Sequence, residues 1–142
     1  MANEMEKNEI ENLLNELYEG TLMLVDGDKP YGIVCWYCFD GKDIWLGILP
    51  KGRKFDCIRK NSNAAFMVFK TSGEGWCSVL AEGKIEQVRD REGIFCGLKL
   101  ASEKYKMPQE VLESQLEKFT KAPDKSMTFR IKVELLSGRK SY

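Results

Sequence analysis

This sequence predicts a mainly β fold, a small six-stranded antiparallel β-barrel with peripheral helices, on three observations. Six apolar runs rich in strand-forming residues succeed one another with turn residues between them. They do not alternate with helices as a parallel, doubly wound sheet requires. An open sheet of this kind would leave two bare edges, and closing it into a barrel removes them.

The chain opens with an amphipathic helix over about residues 5–19, because Ile10, Leu13, Leu14, Leu17 and Tyr18 recur at helical spacing and Gly20 stands where a left-handed C-cap belongs. The run "TLMLVD" then reaches a turn at Gly27–Pro30, "YGIVCWYCF" reaches Asp40-Gly41, and "DIWLGIL" follows. Asp-Gly between apolar runs signals a hairpin, since a type I′ turn needs positive φ at both central positions. Pro50 and Gly52 break the pattern, and "KFDCIRKN" reads as a short helix with Phe55, Cys57 and Ile58 inward. "AAFMVFK" is a strand, and "WCSVLAEGKIEQV" is a long one in which Gly83 marks a bulge or bend. From about Asp90 to Phe119 the pattern turns helical, with Val111, Leu112, Leu116 and Phe119 forming a stripe after Pro108. The closing run alternates, with Met127, Phe129, Ile131, Val133 and Leu135 on the core side.

A chain of 142 residues is the size of one domain, 1–142. Lys plus Arg equals Asp plus Glu at 22 each, so no global field draws it to nucleic acid or to an anionic membrane, and any anion must be bound locally. The N-terminus is charged rather than basic-then-apolar, and the cytoplasm is the expected location. Five cysteines without an export signal are expected as thiols. Cys35 and Cys38 in "CWYC" lie in a strand, where residues three apart face opposite sides, so the pair cannot grip one metal ion and no metal site is expected. Histidine is absent, which removes imidazole bases, histidine ligation of zinc or haem, and any Ser-His triad.

The stretch "GRKFDCIRKNSNAAFMVF" sets Arg53 and Lys54 where a strand gives way to a short helix. First-turn amides lack intrahelical partners and the helix dipole is positive there, so a guanidinium and an ammonium at that corner suit a phosphate, with Gly52 allowing close backbone approach. Trp36, Tyr37 and Trp45 supply an aromatic wall beside it, which suits a ligand with a charged tail and a flat ring. Neither a dinucleotide-binding glycine motif nor a P-loop is present.

The succession "GTLMLVDGDKPYGIVCWYCFDGKDIWLGILPKGRKFDCIRKNSNAAFMVF", then "GWCSVLAEGKIEQV" and "FRIKVELLSGRK", resembles the pyridoxamine 5′-phosphate oxidase-like, FMN-binding split-barrel superfamily, and most of all its small nitroimidazole-resistance and flavoredoxin-like members. The resemblance covers about residues 20–89 and 126–140. It implies a six-stranded antiparallel split β-barrel of the FMN-binding type and FMN as cofactor. It places Arg53 and Lys54 on the phosphate, Gly47 and Ile48 along the phosphate and ribityl chain, Val34, Cys35, Trp36 and Tyr37 past the isoalloxazine, and Ser78 facing the flavin from a neighbouring strand. Family members are homodimers with sites at the interface, which implies the same here. The vitamin B6 oxidase has basic residues where this chain has Gly32 and Tyr37, and its C-terminal substrate signature is missing, so the resemblance points away from pyridoxamine phosphate oxidation. The absence of histidine points away from the haem-degrading relatives.

The expected activity is that of an oxidoreductase or flavin reductase passing hydride or electrons from a donor such as NAD(P)H through FMN to a small acceptor. Catalytic residues are not identified by motif; Tyr37 and Cys35 are the proton-donor candidates by position. Two other readings stand beside it. One is a flavin-storage or sensing protein, with FMN or a deazaflavin in the same site. The other takes Lys51, Arg53, Lys54, Arg59 and Lys60 as a nucleic-acid patch, which the balanced charge disfavours.

Overall fold

Residues 2–142 are described by a computed structural model, in which the chain forms β1 (Asn3–Glu4), α1 (Lys7–Glu16), β2 (Glu19–Asp26), β3 (Lys29–Phe39), β4 (Ile44–Gly47), α2 (Arg53–Lys60), β5 (Asn63–Ser72), β6 (Gly75–Gln87), α3 (Arg91–Tyr105), α4 (Gln109–Lys121), a 3-10 turn (Pro123–Lys125) and β7 (Thr128–Lys140). Every strand pairing is antiparallel. The order β7-β4-β3-β2-β5-β6 closes on itself because β6 also pairs with β7, while the two-residue β1 adds to the end of β7. This is the six-stranded split barrel that the sequence predicts. The split is visible in β3, which pairs with β4 only through Tyr37–Phe39 and with β2 over Lys29–Trp36.

Alternation along the strands sends Leu22, Leu24, Tyr37, Ile44, Leu46, Phe66, Val79 and Ile131 into the barrel, where α1 closes one end with Ile10, Leu13 and Leu14. A second apolar cluster lies outside the barrel wall, where α3 and α4 cover Cys38 and Trp45 with Ile94, Leu98, Leu112, Leu116 and Phe119. Gly97 makes this close approach possible: a Cβ there would stand 2.5 Å from Thr128 Cγ2 and 3.1 Å from Trp45 Cε3. Among the described residues no helix is long and apolar enough to cross a membrane.

Several local expectations need correction. The first helix ends at Glu16 with the extended residue Leu17 as its C-cap, so Tyr18 falls beyond the stripe and Gly20 lies inside β2. Gly20 is small for a packing reason, since a Cβ would meet Phe66 Cε2 at 2.5 Å and the Met67 carbonyl oxygen at 2.6 Å. The Asp40-Gly41 hairpin has a four-residue link in which only Gly41 takes positive φ (96°). There Asp40 Oδ1 accepts from the amides of Lys42 and Asp43 at 2.8 and 2.6 Å, and this side-chain turn replaces the type I′ geometry. The helical stretch is two helices, broken where Lys106 adopts left-handed φ and Pro108 follows. Val111 is exposed at the start of the second one. The bulge expected at Gly83 is present: Glu82 pairs with Leu135 but Gly83 with Val133, leaving Glu134 unopposed. That extra residue reverses the alternation, so Leu135 is exposed and Leu136 packs on the core instead.

Candidate functional site

The cationic corner forms where the chain leaves β4 and enters α2. Gly52 is the N-cap at φ 85°, and having no side chain it leaves the first-turn amides without a cap. Arg53 does not point freely to solvent. Its Nε and Nη2 donate to Asp26 Oδ2 at 2.9 and 2.8 Å, and its guanidinium carbon lies 3.9 Å from the centroid of the Tyr31 ring. The pair is about half exposed, a setting in which an ion pair contributes about 0–1 kcal/mol and an incoming anion can compete. Lys54 forms no ion pair among the described residues and faces Cys35 closely enough to pull its thiol pKa down, although burial outweighs it and the net shift is upward.

The strand that leads past this corner divides its side chains between two environments. Val34 and Trp36 point outward, 71% and 64% exposed. Cys35 and Tyr37 turn inward and pack in the barrel core, so at these two positions only main chain faces outside. The Tyr37 hydroxyl donates to the Leu14 carbonyl at 2.5 Å, and burial carries its pKa well above the usual phenol range. Neither Tyr37 nor Cys35 is therefore placed to hand a proton to a ligand outside the barrel, which corrects the expectation for both. Ile48 is likewise buried in the core. Gly47 is exposed with nothing within 4 Å of where a Cβ would sit, so β4 ends in an uncovered stretch of main chain. Ser78 lies on the outer face of β6 opposite Phe69 and Arg139, at the far end of β7 from Thr128, which pairs with Gly47, so one copy of the chain does not bring it to the corner.

Beside Gly47, a cavity of about 280 Å³ lies between the α3–α4 hairpin and the outer wall of β3 and β4, and Trp36, Tyr37 and Gly47 border it together with Trp45, Tyr105 and Phe119. Tyr105 fixes this wall to the barrel. Extending the β2–β3 register by one step would set Tyr18 opposite Tyr37, and there the Tyr105 oxygen takes the place of a strand bond: it accepts from the Tyr37 amide at 3.1 Å and lies 2.8 Å from the Tyr37 carbonyl and 2.6 Å from that of Tyr18. Lys104, one residue earlier, holds its Nζ 3.8 Å from the centroid of the Tyr37 ring with no hydrogen-bond partner among the described residues, and burial lowers its pKa.

The sequence profile of the family described as "Pyridoxamine 5′-phosphate oxidase" matches residues 6–140. The chain belongs to the pyridoxamine 5′-phosphate oxidase family. Solved structures carry the same fold. A candidate 5-nitroimidazole antibiotic resistance protein from Bacteroides thetaiotaomicron superposes with a TM-score of 0.78 at 15% identity, over 99% of this chain and 87% of its own. An FAD-binding protein from Mesorhizobium loti gives 0.70 at 21% identity, over 99% and 96%. The flavocytochrome Anf3 from Azotobacter vinelandii gives 0.73 at 10% identity, over 99% and 69%. No curated protein matches the chain in sequence.

For this member of the pyridoxamine 5′-phosphate oxidase family, sequence reasoning missed Asp26 and Tyr31 at the corner and Tyr105 at the ladder's end. No local pattern marks them, because each acts through a residue far along the chain. Gly97, a glycine inside a helix, was the available signal only for the close approach of α3 to Thr128 and Trp45.

Proposed function

We propose that the protein binds FMN, with Arg53, Lys54 and the first-turn amides of α2 on the phosphate, Gly47 allowing the chain beyond it to pass over β4, and the outward side of Trp36 toward the ring. The observation that carries this reading is the conjunction of an uncapped, cationic helix start with a side-chain-free strand end and an aromatic wall on the same strand pair. The donor set fits a phosphate monoester: one forked guanidinium, one ammonium and unpaired amides. FMN supplies hydride and electron chemistry, and the protein's residues supply binding, orientation and exclusion of water. The activity that follows is oxidoreduction between a donor such as NAD(P)H and a small acceptor. That several fold neighbours are named for FAD or flavin binding supports the flavin.

We place the site at a homodimer interface. The outer faces of β3, β2, β5 and β6 carry a cross-strand row of Val34, Thr21, Met67 and Leu80, flanked by the exposed Phe69, and a second copy would cover it. The inward placement of Cys35 and Tyr37 favours a second reading, flavin binding without turnover, because it removes the two proton-donor candidates from the outer face. The absorption spectrum of the purified protein, titration with FMN and FAD, and NAD(P)H consumption with and without flavin separate these readings. Protein that is colourless and gains no thermal stability from either flavin contradicts both.

A further inference from the structure

The cavity beneath the α3–α4 hairpin is a half-open cleft between the two helices and the strand wall. For scale, an enclosed apolar cavity of about 150 Å³ suffices to take up benzene. At about 280 Å³ this one has room for roughly two fused rings. Its walls are Trp36, Trp45, Tyr105, Phe119, Met107 and Met127, and among the described residues no charged side chain borders it. Besides the indole N–H groups and the Tyr105 hydroxyl, which already bonds the Tyr37 main chain, its polar side-chain groups are the Gln115 amide, the Thr128 hydroxyl and the Cys38 thiol, and burial raises that thiol to about 11, so no lining side chain is charged at neutral pH. The Trp36 and Tyr105 rings, stacked on each other within 7°, form one flat side of the cavity next to the side-chain-free Gly47. A ligand here loses its water and meets flat, polarizable surface, and an ionised one would lose hydration with no opposite charge to replace it.

We infer that this cavity is a binding site for a neutral, flat aromatic molecule of about two rings, carrying at most one or two hydrogen-bonding groups. It stands apart from the cationic corner, whose chemistry calls for an anion, and it shares Trp36 and Gly47 with the proposed flavin site, so its occupant would lie beside the cofactor.

Calorimetric titration of the full chain with naphthol and with naphthoate tests this. The two probes share a ring system and differ in charge. Naphthol is expected to bind at least about tenfold more tightly than naphthoate. Ala101→Trp, which fills the space from α3, should weaken naphthol binding about tenfold or more while FMN affinity changes by less than about twofold. Ala101→Leu, a smaller filling, should show an intermediate loss and guards against an unfolded tryptophan variant. Undetectable naphthol binding to the unmodified chain, equal binding of the two probes, or naphthol affinity unchanged in both variants would overturn the inference. So would loss of FMN binding in step with naphthol across folded variants, because that assigns the cavity to the cofactor's own ring. Failure of FMN to bind the unmodified chain sinks the proposed function, and the naphthol measurement still decides this inference by itself.

Discussion

The indole of Trp36 and the phenol of Tyr105 lie face to face, ring centroids 4.8 Å apart and planes within 7°. One ring belongs to a barrel strand and the other to the last residue of α3, so the stack ties the helical hairpin to the barrel wall. The Tyr105 hydroxyl adds a polar tie beneath it, meeting the Tyr37 main chain where the β2–β3 ladder stops. Together they fix one wall of the cavity and one face of the proposed cofactor site.

Tyr105→Phe keeps the stack and removes the hydroxyl, leaving the part-buried Tyr37 amide and carbonyl without that partner. Urea unfolding should show a loss of about 1–3 kcal/mol. A loss below about 0.5 kcal/mol would mean that water replaces the hydroxyl freely and that the tie is incidental.

Alkaline titration should find Tyr37 and Tyr105 ionising late, and Tyr142 is raised as well, through its hydrogen bond to Cys77. Burial raises Tyr105 to about 12 and Tyr37 beyond it, whereas in the unfolded chain both ionise near about 10. Above that pH the folded state keeps protons that the unfolded state has lost. The stabilisation is complete below about 10 and is lost as pH rises through the folded values. Lys104 works in the other direction: its pKa lies below 10.5, so stability from that group rises with pH up to the unfolded value. In the phenolate absorbance, Tyr105→Phe should remove one of these late-ionising groups. Synchronous titration of every tyrosine in folded protein would contradict the buried placement.

Arg53→Ala and Lys54→Ala should each weaken FMN binding by about 10- to 100-fold, the worth of a hydrogen bond to a charged group, while stability changes by less than about 1 kcal/mol. Asp26→Asn should act oppositely and tighten binding by up to about fivefold, because Arg53 no longer has to exchange a carboxylate for the phosphate. Weaker binding in Asp26→Asn would show that the carboxylate's chief effect is to hold Arg53 in place.

Two glycines should respond differently to the same added methyl. Gly20→Ala places a Cβ against the Phe66 ring and the Met67 carbonyl and should cost about 1–3 kcal/mol. Gly47→Ala meets nothing within 4 Å and should leave stability within about 0.5 kcal/mol while weakening FMN binding. Unaltered FMN affinity in Gly47→Ala would remove β4 from the proposed site.

Val34→Asp puts a charge on the outer sheet face at a side chain that is 71% exposed in a single copy, so folding should be unaffected. Sedimentation should show the unmodified chain as a dimer and this variant as a monomer. A dimer that survives the change would place the interface elsewhere.

The strands, the α2 corner and the Gly83 bulge were legible because each is written in a few neighbouring residues: the period-two runs, the Gly-Arg-Lys step, a lone glycine inside a strand. What went unread was parity beyond the bulge, where one unopposed residue, Glu134, turned Leu135 out and Leu136 in. Equally hidden was that Arg53 already holds Asp26, a partner 27 residues earlier.

Hydrophobic periodicity and turn chemistry, properties of the local backbone, determined from sequence alone that this chain makes a closed antiparallel barrel with a cationic corner on its rim. Only the tertiary structure decided that Tyr105 meets Tyr37 across 68 positions, that Tyr37 and Cys35 face the core, and that an apolar cavity opens under the hairpin. The reason is physical: such contacts depend on how register, bulge and close helix approach combine across the closed sheet, and no short window of sequence carries that sum.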